Sequence, residues 1–257
     1  MAEDARFAYL QARLQARHGD RPAPDDWRIA EASIDLSHYL DAVRRTALRR
    51  WVDDINHEMD AAAIERHLRA AWRAAVDEAA SWSPEPWRAA VSWLRWLPDL
   101  PAVDHLIRGT KVPPWMRADP VLRDVGFNEP QRRREALAES PLAPLPPDDD
   151  PADADVADAW MKEWRARLPT APDDELEAIL DAVQAHVEAM RGAADRDGQV
   201  LRHALATFLA RRFRRGAGSS VALFAHLLLD GLELERLRAG VVTRRLLPQR
   251  AEGRSWA

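Results

Sequence analysis

The 257-residue sequence contains no cysteine and only two lysines and two tyrosines. Without cysteine the chain cannot form disulfides or use thiolates as nucleophiles or metal ligands. No uninterrupted apolar run approaches the ~18 residues of a membrane span. The first six residues carry two acidic side chains, which is not how a signal peptide begins. These absences predict a cytoplasmic protein without membrane insertion.

Charge is plentiful, with 37 Lys+Arg against 42 Asp+Glu and a net charge of −5. Net acidity argues against a general nucleic-acid-binding protein, although a local basic patch remains compatible with it. The chain also has 11 tryptophans, most of them in its first half. This concentration predicts an aromatic-rich core or an aromatic-rich interface.

Apolar residues recur at helical spacing wherever a period is clear, and no stretch alternates long enough to predict a strand. Ser, Asp and Gly stand where helices are expected to begin or end. Asp60, Ser83 and either Ser219 or Ser220 are expected N-caps, and Gly216 and Gly218 mark an expected helix–helix turn. The sequence therefore predicts an all-α fold. Representative stripes are Phe7, Leu10 and Leu14; Ile64, Leu68, Trp72 and Val76; and Leu176, Leu180, Val183 and Val187.

One segment interrupts the helical pattern. Residues 139–153 contain five prolines and four aspartates. Proline removes backbone donors and neighbouring acids repel one another, so this segment is expected to be an extended, solvated linker. It would separate an N-terminal, tryptophan-rich helical lobe (1–138) from a C-terminal helical lobe (154–257).

The two lobes also carry a weak internal repeat at an offset of 131 residues. The offset places Asp230 on Asp99 and Gly240 on Gly109. Each block is expected to be an apolar helix, a break that contains the Asp, and a short helix that ends in an Arg-rich turn and Gly. Asp99 and Asp230 are therefore expected to act as structural caps of the last helix of each lobe.

Five segments resemble one family of proteins. Residues 7–19, with Tyr-Leu-Gln-Ala-Arg near their start, resemble the opening helix of the C-type central-stalk subunit of the archaeal and bacterial rotary ATPase, which is equivalent to the d-type subunit of the vacuolar enzyme. Residues 34–40 resemble the short helix that follows, and residues 63–109 the long helix pair after it. Residues 228–230 and 234–238 resemble the repeated form of that pair's final Leu-Pro-Asp-Leu motif.

The resemblance, to a diverged and shortened relative, implies a non-catalytic function. Members of this family are all-helical and lie between the rotating central shaft and the membrane rotor ring, and they transmit torque between them. The implied partners are therefore that shaft and that ring, and the implied place is the cytoplasmic side of a membrane complex. A free-standing helical adaptor or assembly factor for another complex is the alternative, and a metal-dependent hydrolase is a further one.

A search for reactive residues supports the non-catalytic interpretation. No pair of His, Asp or Glu residues gives two inward-facing metal ligands one helical turn apart. The pairs that come nearest are His57-Glu58, Glu65 with His67, and Asp104-His105. The sequence has neither a nucleophile motif of the Gly-x-Ser-x-Gly type nor a phosphate-binding glycine loop. We therefore expect no catalytic, cofactor-binding or metal-binding residues and no enzymatic activity.

Clustered arginines and tryptophans are the remaining candidates for contact with a partner. The arginine clusters are either solvated faces or surfaces that bind an acidic protein or anionic lipid, with nucleic acid as a further possibility. The tryptophans are either core residues or interface anchors. The candidate partner-binding residues are Arg44, Arg45, Arg49, Arg50, Trp93, Trp96, Arg211, Arg212, Arg214 and Arg215.

Overall fold

The regular structure of the chain is helical. The computed structural model describes residues 2–109, 111–146, 155–191 and 195–246, and within these ranges it contains helices and no strand, which confirms the all-α class. Within the same ranges, no helix combines the length and the apolar character that a membrane crossing requires. In chain order the α-helices are α1 (Ala2–Gly19), α2 (Pro24–Glu31), α3 (Leu36–Val43), α4 (Arg49–Val52), α5 (Ala61–Trp82), α6 (Arg88–Trp93), α7 (Leu100–Ile107), α8 (Pro114–Ala118), α9 (Pro130–Ala138), α10 (Val156–Ala166), α11 (Asp174–Arg191), α12 (Asp195–Arg215) and α13 (Ser220–Leu246), and 3-10 turns cover Glu85–Trp87 and Leu94–Asp99.

Two of the expected N-caps are confirmed. The Asp60 carboxylate accepts a hydrogen bond from the Ala63 amide at 2.7 Å, and the Ser219 hydroxyl accepts one from the Val221 amide at 3.2 Å. Both bonds satisfy amides that have no partner in the first turn of a helix. Gly218, with φ of +81°, forms the turn before α13. Ser83 does not cap a helix, because its hydroxyl instead donates to the Ala79 carbonyl at 2.7 Å.

The chain divides into two compact units that differ from the predicted lobes. Unit 1 contains Met1–Gln11 and Arg73–Leu229, and unit 2 contains Ala12–Trp72 and Asp230–Ala257. The two sides of the predicted linker therefore belong to the same unit. The physical reason is that α10, which follows the linker, packs against α6 and α7, which precede it.

The first residues of the predicted linker are packed rather than extended. Leu142 and Leu145 are both 1% exposed, and the Leu142 carbonyl accepts a hydrogen bond from the Leu145 amide at 2.9 Å. The remaining part of the predicted linker, from residue 147, lies outside the described residues. The expectation of a solvated segment is therefore wrong for residues 141–145, because buried leucines alternate there with the prolines.

Unit 1 contains a chain of aromatic rings. Trp87 lies between Phe7 and Phe224, with ring centroids 6.1 Å away on both sides. Phe224 also contacts Trp164 edge to face at 5.4 Å, and Trp164 stacks at a tilt on Trp160 at 5.3 Å. Such pairs contribute about 0.5–1.5 kcal/mol each beyond the area that they bury. The aromatic-rich core predicted from the sequence is thus assembled in unit 1 by residues from both halves of the chain.

Within unit 2, α3 and α13 come into close contact at Tyr39 and Gly240. Tyr39 of α3 is fully buried and its ring packs against Gly240 of α13, where a β-carbon would lie 2.3 Å from the tyrosine oxygen. The Arg244 guanidinium lies 4.2 Å from the Tyr39 ring centroid and donates to the carbonyls of Glu31 and Ser33, each at 2.8 Å. Arg244 therefore joins the last turns of α13 to the connection between α2 and α3.

Candidate functional site

The two candidate tryptophans lie in the core of unit 1. Trp93 is 2% exposed and Trp96 is 8% exposed. The Trp93 indole nitrogen donates to the Trp160 carbonyl at 3.1 Å, and the Arg167 guanidinium covers its ring at 4.4 Å. The structure therefore favours the core interpretation of both residues, since neither leaves enough surface exposed to anchor a partner.

The first arginine cluster follows α3 and is largely engaged within unit 2. Arg44 donates to the Ile55 carbonyl and pairs with Asp41 at 3.3 Å. Arg49 pairs with Asp53 at 2.7 Å in an exposed i, i+4 contact. Arg45 is exposed to solvent. Arg45 and Arg49 are thus both exposed, and of the two Arg49 is paired with an acid of the chain.

The second arginine cluster lies at the end of α12 in unit 1. Arg212 pairs with Glu175 of α11, and its guanidinium lies 4.9 Å from the Phe208 ring centroid. Arg211, Arg214 and Arg215 are exposed. The structure thus separates one structural arginine from three that face solvent.

Asp99 occupies the position immediately before α7, but its side chain makes no capping hydrogen bond. It is fully buried and pairs instead with Arg73 of α5, whose Nη2 lies 2.6 Å and 2.8 Å from its two carboxylate oxygens. The expected capping function is wrong for Asp99. A buried carboxylate gains more from a charged donor than from a neutral amide, which explains the different partner.

Asp230 is not a cap either, because α13 continues without a break from Ser220 to Leu246. Its side chain is 3% exposed, and its carboxylate pairs with Arg50 of α4 at 2.8 Å and with Arg21, between α1 and α2, at 3.3 Å. Glu233, one turn further along α13, accepts from Arg21 at 2.6 Å and lies 3.9 Å from Arg50. We refer to Arg21, Arg50, Asp230 and Glu233 as the unit 2 ion cluster.

Within the unit 2 ion cluster, burial raises the pKa of Glu233 from its ordinary value of 4.5 to about 7. Arg21 and Arg50 oppose this rise, and the neighbouring Asp230 adds to it. Two carboxylates and two guanidiniums balance when all four are ionised. Protonation of Glu233 near neutral pH leaves the cluster with one excess positive charge.

Sequence reasoning missed Arg73 as the partner of Asp99 and missed Arg21 and Arg50 as the partners of Asp230. It also did not place Glu233 beside the same two arginines. The available signal was the position of Asp230, which ends an unbroken series of buried residues from Ser220 onward. A carboxylate within an apolar stretch of helix requires an opposite charge from another element. That argument indicates that a partner exists but does not say which of 35 arginines provides it.

Three of the residues considered for metal binding, Glu65, Asp104 and His105, have other contacts. Glu65 pairs with Arg238 at 2.6 Å, Asp104 pairs with Arg108 at 2.9 Å, and the His105 ring contacts the Lys111 carbonyl at 3.1 Å. Among the residues that the structure describes, no group of three or more His, Cys, Asp or Glu side chains is placed to hold a metal ion.

No protein-family model, curated protein or solved structure matches this chain.

Proposed function

We propose that this chain is a non-catalytic helical coupling protein that binds other proteins, as the central-stalk subunit of a rotary ATPase joins the rotating shaft to the membrane rotor ring. The support from the sequence is the family resemblance of the opening helix, the short helix after it and the repeated Leu-Asp motif. The all-α fold agrees with the fold that this resemblance implies.

The observation that carries the proposal is the environment of the two repeated aspartates. Asp99 in unit 1 and Asp230 in unit 2 are both buried and both bind an arginine from another part of their own unit. Equivalent positions of the internal repeat thus have the same chemistry. This shared pairing supports the proposal of duplicated helical modules, although Asp99 precedes a helix and Asp230 lies inside one.

The same pairs suit a protein that must carry mechanical load. Each joins residues far apart in sequence, Arg73 with Asp99 and Arg21 or Arg50 with Asp230. Breaking a buried pair leaves an uncompensated charge and costs about 3–5 kcal/mol. Each unit therefore resists local opening at the point where its helices are joined, and a coupling element needs that stiffness.

The surfaces available for partners follow from the exposed arginines. Arg45 in unit 2 and Arg211, Arg214 and Arg215 in unit 1 face solvent. Arg44, Arg49, Arg50 and Arg212 are engaged by the chain itself. We assign partner contact to the four exposed arginines and an internal structural function to the other four.

The proposal is tested by deleting the gene for this chain in its source organism and measuring ATP hydrolysis and ATP-driven ion transport in isolated membranes. A coupling function predicts that ATP hydrolysis persists while ATP-driven ion transport falls severalfold, and that the wild-type chain restores transport. Unchanged transport in the deletion strain contradicts the rotor function.

A photo-cross-linking amino acid at position 215 or 45 provides the second test. We expect cross-links to the shaft or to the rotor ring of a rotary ATPase, and none from the same amino acid at the buried position 93. Reproducible cross-links to an unrelated complex would favour the adaptor alternative instead.

A further inference from the structure

The exposed arginines of α12 lie on a single face of that helix. At 100° per residue, Arg211, Arg214 and Arg215 fall within an arc of about 100°. Leu209 and Phe213, which are 0% and 1% exposed, lie on the opposite side. The arginines therefore project away from the core of unit 1.

This face has no neutralising acid within the described part of the chain. Neither Arg211, Arg214 nor Arg215 has a described ion-pair partner, whereas the adjacent Arg212 is paired with Glu175. The sequence explains the difference, because between Asp197 and Asp230 it contains five arginines and no Asp or Glu. By contrast, the exposed Arg49 and Arg108 each pair with an acid four residues away in the sequence.

The same face of α12 carries exposed apolar side chains nearer the start of the helix. Val200 is 68% exposed and Ala204 is exposed, and helical geometry places both within about 20° of Arg211. From Val200 to Arg215 the face is about 22 Å long at 1.5 Å per residue. It therefore presents a narrow strip with a small apolar end and a triply cationic end.

We propose that this strip, residues 200–215 of α12, is a docking site for an amphipathic helix of a partner protein, with carboxylates at one end and small apolar residues at the other. The inference rests on the protein-binding function proposed above and specifies the chemistry of one partner. Guanidinium groups bind carboxylates in a bidentate geometry. Partner acids one turn apart would match Arg211 and Arg215, and the strip is one helix face wide, which suits a rod better than a flat lipid surface.

The test uses the full-length chain and two labelled 21-residue helical peptides of identical composition. In the registered peptide, three Glu and two Leu share one helix face, and in the scrambled peptide they are spread around the helix. Fluorescence anisotropy in 50 mM NaCl should show at least about fivefold tighter binding of the registered peptide. Binding should weaken strongly in 500 mM NaCl, because added salt screens exposed charges.

The decisive variant is R211Q/R214Q/R215Q, which should weaken binding of the registered peptide at least about tenfold, equivalent to about 1.4 kcal/mol. The matched control is R117Q/R123Q/R134Q, which removes three exposed arginines elsewhere and should weaken binding less than about twofold. Circular dichroism of both variants should match that of the wild type.

Three results would overturn the proposal. If the two triple variants lose equal affinity for the registered peptide, binding depends only on net charge. If the wild type binds the two peptides equally, binding does not require Glu and Leu on one helix face. Binding to phosphatidylserine vesicles, measured with the same variants, is the third result: if it depends on the three arginines more strongly than peptide binding does, the strip binds lipid.

The docking site and the rotor function can fail separately. If the peptide binds but deletion leaves ion transport unchanged, the docking site stands and the rotor function is rejected. If the peptide does not bind but deletion lowers ion transport, only the docking site is rejected.

Discussion

Arg73 and Asp99 form an ion pair that is closed to water, with the arginine side chain 9% exposed and the aspartate side chain 0% exposed. The pair joins α5 to the residue that precedes α7, 26 positions further along the chain. Each charge depends on the other, because a buried charge without a partner is far more costly than the pair. Asp99 is therefore a tertiary anchor of unit 1 rather than a local cap.

Replacing the anchor by Asp99→Ala should lower the free energy of unfolding by about 3–5 kcal/mol, because Arg73 is then buried without a counter-charge. Urea denaturation followed by circular dichroism measures this loss. The control is Asp104→Ala, which breaks an exposed pair with Arg108 and should cost less than about 1 kcal/mol. A cost for Asp99→Ala of only about 1 kcal/mol would instead match a helix cap.

The stability of unit 2 should depend on pH through Glu233. Its pKa in the folded chain, about 7, lies above its ordinary value of 4.5, so the folded state binds this proton more tightly. The protonated Glu233 therefore stabilises the folded state fully below pH 4.5, and this stabilisation is lost as pH rises through 7. Glu233→Gln mimics the protonated side chain at every pH. Its free energy of unfolding, relative to that of the wild type, should therefore rise by about 1–3 kcal/mol as pH increases from about 4.5 to 8.

This measurement requires unfolding curves of both proteins across that pH range. The groups that face Glu233 are Arg21, Arg50, Asp230 and Arg236, and all remain in the variant. Glu58→Gln alters an exposed carboxylate of the same unit and should follow the wild-type profile. A constant difference between Glu233→Gln and wild type at every pH would contradict the prediction.

Gly240→Ala should destabilise unit 2 although alanine is the better helix former. The added carbon would lie 2.3 Å from the Tyr39 oxygen and 2.6 Å from the ring carbon that bears it. The overpacking penalty of about 1–3 kcal/mol exceeds the gain in helix propensity, so the melting temperature should fall. Gly19→Ala is the control, because nothing lies within 4 Å of its added carbon, and it should be neutral or slightly stabilising.

Leu142→Ala should show that the proline-rich segment is part of the core where it begins. Leu142 is 1% exposed, and truncation of a buried leucine costs about 2–5 kcal/mol. Pro144→Ala, at an exposed position two residues away, should change stability by less than about 1 kcal/mol. Equal, small effects of the two substitutions in thermal unfolding would restore the solvated linker predicted from the sequence.

The sequence predicted the features that depend on neighbouring residues. Helical spacing of apolar residues indicated the all-α class, and the local caps Asp60 and Ser219 formed as expected. Such features need only a few adjacent residues, since the capped amides lie within the same helical turn.

Features that depend on distant residues could not be predicted in the same way. An aspartate before an apolar helix can cap it or enter a buried ion pair, and only the position of Arg73 decides between the two for Asp99. Likewise, the prolines around Leu142 indicate irregular backbone but not whether the leucine side chain reaches the core. The exposed triad of α12 was within the predicted arginine cluster, and the structure separated it from Arg212 by revealing Glu175.

The packing of Tyr39 on Gly240 also determines the lengthwise register of α13 along α3. Four residues in either direction from Gly240, Arg236 and Arg244 lie on nearly the same face of the helix, about 6 Å away along the axis. A slip of one turn would place a long charged side chain where the tyrosine ring fits only against a bare backbone. Axial sliding of these two helices is therefore blocked sterically, so any movement within this part of unit 2 must occur by rotation or local unfolding.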